Sequence, residues 1–182
     1  MNLKDHFLLA MPGLTGDYFA DSLTYICEHN DEGAMGIMVN RPSDISLLEL
    51  FSQIGLNSSR RWVETPVLEG GPVSGERGFV LHSAEKRYDS SAALTDGLVL
   101  STAMDALDAI ANDNGPERFM VALGYAGWGA GQLENEIANN VWLTAPADVD
   151  VLFDREHESK LDRAAASLGI DLRLMSSRPG HA

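Results

Sequence analysis

Four glycines fall within eight residues, Gly124, Gly127, Gly129 and Gly131, between an apolar run from Phe119 to Leu123 and a segment where Leu133 and Ile137 recur at helical spacing. This order predicts a strand, a glycine-rich turn and a helix from Leu123 to Ile137. Glycines serve such a place in two ways: they let the backbone bend tightly against its own core, or they bare N–H groups to an anion at a helix start. The nucleotide forms of the second use do not fit. Ala130 and Gly131 stand where a phosphate loop needs lysine and a hydroxyl residue, and the glycine intervals miss the dinucleotide fingerprint. The glycines are therefore read first as a turn of the fold, with any ligand role left to their surface neighbours.

The remaining chain alternates strands and helices. Phe7 to Met11 is an apolar run closed by Pro12-Gly13, and Leu23 to His29 alternates with a period of two. Asn30 to Gly33 supplies a turn, and Ala34 to Val39 returns as the second strand of a hairpin. Ser46 and Glu49 form a capping box before Leu47, Leu50, Phe51 and Ile54, with Gly55 as the stop and Trp62 folding back over the core. Pro66 to Pro72, a short strand running into a turn, and the strand Gly78 to Ser83 after the polar turn Ser74 to Arg77 are predicted as a second hairpin. A weaker strand follows at Leu94 to Leu100, then a helix led by Thr102 with Ala103, Ala106, Leu107 and Ile110 on one face. Val141 to Thr144 is a strand, Asp148 to Phe153 is either strand or capped helix, and Leu161 to Leu168 is the last helix, stopped by Gly169. The tail from Ser176 is expected to be mobile. The fold class is mixed α/β: one domain over residues 1–182, with a mixed sheet or partial barrel of hairpins and about four flanking helices.

Charge narrows function. Asp and Glu total 27 against 13 Lys and Arg, a net charge of -14, and a surface that releases counterions from nucleic acid needs the opposite sign. Direct nucleic-acid binding is not expected, and the adjacent pair Arg60-Arg61 is thin support for it. A single cysteine, Cys27, forms no internal disulfide, and no run reaches membrane-spanning length, so a cytoplasmic protein without membrane contact is expected. No G-x-S-x-G, H-E-x-x-H or paired-cysteine zinc pattern is present, so no catalytic residues, metal ligands or cofactor are assigned.

Candidate ligand-binding residues come from strand ends and the glycine stretch. Cys27 and His29, two apart on a strand, either form a thiolate–imidazole pair or are a small core residue and a hydrogen-bonded strand end. His29, Asn30, Asn40, Arg41 and His82 would make an anion or proton site if their strand ends converge. Arg77 would bind a carboxylate or phosphate, or pair with an internal acid. Gly124, Tyr125, Gly127, Trp128 and Gln132 complete the set, the aromatics either stacking on a ligand or packing the core. Gln132 and Glu136, four apart, read as a solvated helix face.

These segments together resemble the YqgE/AlgH family of bacterial proteins. The match is carried by His6 to Pro12, Glu28-His-Asn30, Gly33-Ala-Met-Gly36 through Asn40-Arg-Pro42, Gly70-Gly-Pro-Val73, Arg77 to His82, Gly124 to Trp128, Gly131-Gln-Leu-Glu134, Trp142-Leu-Thr144, Pro146-Ala-Asp148 and Gly180-His-Ala182. The loop from Leu14 to Phe19 departs from it, with Gly16-Asp-Tyr-Phe19 where an Asp-Pro-x-Phe type sequence is more usual. The resemblance implies one α/β domain without an established reaction. It also implies the label of transcriptional regulator, which rests on an association with alginate gene expression. Joined to the acidic charge, it points to indirect action through a protein partner or a bound small molecule; an enzyme or small-molecule-binding protein is the alternative.

Overall fold

A computed structural model of the protein describes residues 1–14, 16–102 and 104–176, so Ala103 and the Gly180-His-Ala182 motif lie outside the described residues. The secondary structure is mixed α/β, as expected. The chain divides into two compact units, residues 1–41 with 126–182 and residues 42–125.

In the first unit, strands β1 (His6–Ala10), β2 (Leu23–Asn30) and β3 (Gly33–Met38) run antiparallel in that order, with the predicted hairpin between β2 and β3. Strand β10 (Trp142–Pro146) flanks β1, and Gly33 to Gly36 pair with residues 126–129 of the long strand β9 (Phe119–Gly129). β2 alternates in sequence but is buried on both faces through Cys27, because elements pack on each side. One face carries a core of Leu3, Leu8, Ala10, Ile26, Ala126, Trp128, Leu133 and Trp142. Helix α3 (Gln132–Ala138) contributes Leu133 to it. Asp148 resolves the ambiguous segment: its carboxylate accepts from the Asp150 amide and caps α4 (Val149–Leu152). Helices α5 (Lys160–Ala166) and α6 (Leu172–Ser176) follow, and Gly169 adopts φ +73° after α5.

In the second unit, residues 119–125 of β9 are central. β5 (Pro66–Glu69) lies parallel to them, and β6 (Val73–Ser83) lies antiparallel. The expected β5–β6 hairpin is therefore corrected: each strand pairs with β9 instead. The expected turn at Ser74 to Arg77 is an irregular part of β6, where the register shifts between Val73 and Gly78. β4 (Pro42–Ser46) pairs with β5, while β8 (Leu98–Ser101) and the short β7 (Ser91–Ala93) extend the sheet beyond β6. Helix α1 (Leu47–Gln53) is capped as predicted, the Glu49 amide donating to Ser46 Oγ at 3.1 Å. The carboxylate does not reach back to the backbone and instead takes the Ser46 hydroxyl at 3.3 Å. α1 and α2 (Met104–Ala111) bury Leu47, Leu50, Phe51, Ala106, Leu107 and Ile110 around Val67, Val80, Val121 and Trp62. Six α-helices stand among the described residues where about four were expected, the short α4 and α6 being the additions.

The opening glycine stretch is also corrected. The strand does not end at Leu123; it continues through Gly124, Gly127 and Gly129, and only residues 130–131 turn into α3. Gly124 takes φ +82° inside β9, and a side chain there would meet the Gly71 carbonyl oxygen at 2.5 Å. Close backbone approach within the sheet, more than turning, is what this glycine provides.

Candidate functional site

The residues singled out by sequence form two separate groups, one in each unit. In the first unit, β9 delivers Trp128, β10 delivers Trp142, and α3 delivers Gln132 and Glu136 to one place. Glu136 Oε1 accepts from both indoles, Trp128 Nε1 at 3.0 Å and Trp142 Nε1 at 2.9 Å, while Oε2 accepts from Gln132 Nε2 at 2.9 Å. Gln132 Oε1 in turn accepts from the Gly129 amide at 3.0 Å, closing the turn between β9 and α3. Gln132 is exposed, as the spacing suggested, but Glu136 is half-buried and turned to the two indoles. Phe19 completes the cluster, 5.5 Å edge-on to Trp142 and 6.3 Å from Trp128.

Asn40 and Arg41 hold the loop that carries Phe19. Asn40 accepts from the Leu23 amide and donates to the Asp21 carbonyl, both at 2.9 Å. Arg41 donates to the carbonyls of Tyr18 at 2.8 Å and Ala20 at 3.0 Å and lies over the Tyr18 ring. Asp17 adds an acceptor for the Phe19 amide. A planar guanidinium aimed at two backbone carbonyls is a loop clamp. Asn30 has a local role, accepting from the Glu32 amide in the hairpin turn at 2.7 Å, and Gly127 pairs opposite Met35.

His29 is buried. Its Nδ1 accepts from the Leu3 amide at 2.9 Å, so the ring proton sits on Nε2, which faces the Glu134 carboxylate at 3.3 Å without hydrogen-bond alignment. Glu134 has its carboxyl held below the usual range, by its own backbone amide first and by His29 second. The thiolate–imidazole idea does not survive: a register shift falls between Ile26 and Glu28, and burial pushes the Cys27 thiol up to about 12. A thiol so placed is an unreactive core residue at neutral pH.

In the second unit, His82 is fully buried on β6. Its Nδ1 lies 2.9 Å from the Ser83 carbonyl, which only accepts, so Nδ1 carries the proton and Nε2 accepts from Ser101 Oγ at 2.8 Å. Ser101 accepts in turn from Ser91 Oγ at 2.7 Å, and Ser91 from the Tyr88 amide at 2.8 Å. Every donor in this chain has one direction, and together they tie β7 to β8 and β8 to β6. Burial lowers the His82 pKa, keeping the imidazole neutral. A serine hydroxyl on a neutral imidazole is the pair that nucleophilic catalysis uses, yet both residues are fully buried and the hydroxyl is engaged on both sides. Ser101→Ala is expected to cost about 1–3 kcal/mol in urea unfolding, because Ser91 loses an acceptor and His82 a donor. Arg77 lies over the Phe79 ring at 5.2 Å, and Tyr125 packs edge-on to Phe79 at 5.8 Å.

His29 and His82 therefore belong to different units, each with its own partners. Sequence reasoning missed Glu136, Trp142, Phe19 and Ser101 as members of these groups, and Lys160, which is fully buried. Lys160 did carry a signal: it stands four residues before Ala164 on the apolar face of α5. Among the described residues no group of three or more His, Cys, Asp or Glu is placed to hold a metal, and no helix is long and apolar enough to cross a membrane.

Known proteins are similar to this chain over nearly its whole length. A family profile described as AlgH-like matches residues 7–173. A UPF0301 protein of Thioalkalivibrio sulfidiphilus is 50% identical over 181 residues, covering 100% of this chain and 97% of that relative. One from Stutzerimonas stutzeri is 51% identical, covering 99% and 96%. The solution structure of the AlgH protein from Pseudomonas aeruginosa is similar with a TM-score of 0.83 and 46% identity, covering 100% of this chain and 97% of that one. A crystal structure from Corynebacterium diphtheriae, at 21% identity and a TM-score of 0.75, shares the fold.

Proposed function

This chain belongs to the AlgH-like family, whose biochemical function is not established, and from that premise we propose that it is a non-catalytic regulator of transcription acting through a protein partner or a bound small molecule. The observation that carries this reading is the engagement of the motif side chains. Trp128, Gln132, Asn40 and Arg41 direct their polar atoms to other residues of the same unit, where they hold an aromatic cluster and its loop. A motif used this way supports a fixed surface for recognition better than it supports turnover at a reacting centre.

Indirect action follows from charge. Acids outnumber bases in both units. Of the pair Arg60-Arg61, the second is already matched by Asp113 at 3.0 Å and stacked on Trp62. In the other adjacent basic pair, Lys86 donates to Asn114. Titration of promoter and random DNA at low salt, where phosphate attraction is strongest, is expected to give no binding. Saturable binding there would overturn the indirect reading. A thermal-shift screen of metabolites separates the two indirect routes, since a ligand that binds only the folded state raises its melting temperature.

A further inference from the structure

Lys160 opens α5 with its side chain directed inward. It is fully buried, and its Nζ donates to the carbonyl of Val39 at 2.8 Å, just beyond the end of β3. Val39 stands at a junction: its amide donates to Leu23, and the next two residues are the loop-clamping Asn40 and Arg41. The charged and titratable groups around Lys160 are few. Asp154, between α4 and α5, is matched to Arg163, and it acts on Lys160 only as the lesser influence. His157, one turn before α5, also hydrogen-bonds the Val39 backbone; its Nδ1 is buried without a hydrogen-bond partner, and burial lowers its pKa to about 4, so this second tie does not change with pH above 7. Glu158, Asp162 and Arg163 are its charged neighbours in sequence, and β1, on which α5 packs, carries the buried Phe7 and Leu9. An amine here needs one acceptor and has it; an ammonium brings a charge and two more donors into an apolar layer.

We propose that Lys160 is a proton-operated latch: with its amine neutral it ties the start of α5 to the end of β3, and taking up a proton releases that tie and loosens the hold of Asn40 and Arg41 on the loop of residues 17–22. The loop carries Phe19 over Trp128 and Trp142, so the latch would act on the aromatic cluster itself. Burial lowers the Lys160 pKa from 10.5 to about 7 in the closed state. Its sign follows from linkage: between those two values the open state binds a proton that the closed state does not, so opening rises as pH falls and levels off below about 7. His157 does not titrate above pH 7, and the Cys27 thiol, pushed up to about 12 by burial, stays protonated in the closed state through pH 9.

Amide hydrogen exchange on the full chain at pH 7 and pH 9, corrected for intrinsic rates, tests this. Opening measured at Ala164 and Ala165 in α5, and at Ser22 and Leu23 beside the loop, is expected to be about fiftyfold less populated at pH 9. Leu107 and Ile110 of α2 serve as controls and should change by less than about threefold. In Lys160→Met the α5 and loop amides should lose the pH dependence. An unchanged dependence in that variant, or a flat profile in the wild type, overturns the latch; a dependence confined to α5 overturns its link to the loop. Should Lys160→Met fail to fold, the wild-type Lys160 Cε resonance decides: a midpoint near 7 is expected, and one in the ordinary lysine range contradicts the proposal.

Discussion

Gly70→Ala is expected to destabilise the protein by about 3 kcal/mol or more, seen as a large fall in urea midpoint or as failure to fold. A methyl group at Gly70 would sit 2.3 Å from the carbonyl oxygen of Gly124 and 3.2 Å from the Ala122 side chain. Both neighbours lie on the central strand β9, fixed between β5 and β6, so the backbone cannot yield without breaking the pairs of Leu68 with Ala122 and Glu69 with Leu123. Gly131→Ala is the informative control. Unlike Gly70 it has positive φ, +75°, and nothing lies within 4 Å of the added carbon. Only the left-handed backbone penalty remains, about 1–2 kcal/mol. Equal losses in the two variants would contradict the close-approach account of the motif glycines.

Glu136→Leu is expected to cost about 3–5 kcal/mol. The carboxylate accepts from two indole N–H groups and one amide, and leucine leaves both indole donors without an acceptor in a cluster where Trp128 is 7% and Trp142 3% exposed, while the exposed Gln132 amide turns to water. Charge-assisted acceptance makes the loss larger than that of a neutral bond. Glu134→Gln, one carboxylate away on the same helix, should change stability little, because Glu134 is exposed toward solvent and meets His29 at contact distance only. Urea titration followed by tryptophan emission reads both variants.

How far these features could be read from sequence depends on whether the controlling interaction is local. The cap of Ser46 on α1, the Gly55 stop, the β2–β3 hairpin and the cap of Asp148 on α4 are written within a few residues, and the structure has them. The β5–β6 hairpin is not legible in sequence because turn residues between two apolar runs look the same whether the strands pair with each other or with a third strand. Here β9, some forty residues further on, takes both. The glycine stretch is ambiguous for a related reason: glycine needed for close strand approach has the same letter as glycine needed for a turn. Glu136 shows the limit for side chains. Its four-residue spacing from Gln132 correctly placed both on one helix side, but that this side meets two tryptophans depends on where β9 and β10 lie.

The central claim is that the recurring motif residues are engaged in holding this fold, with Glu136 as their common acceptor. A double-mutant cycle of Glu136→Leu with Trp142→Phe, measured by urea unfolding, tests it most directly. A coupling of about 1–3 kcal/mol is predicted, because removing one partner already forfeits the shared bond. Strict additivity, to within about 0.3 kcal/mol, would contradict it and would return Glu136 and Trp142 to the pool of residues available for a ligand.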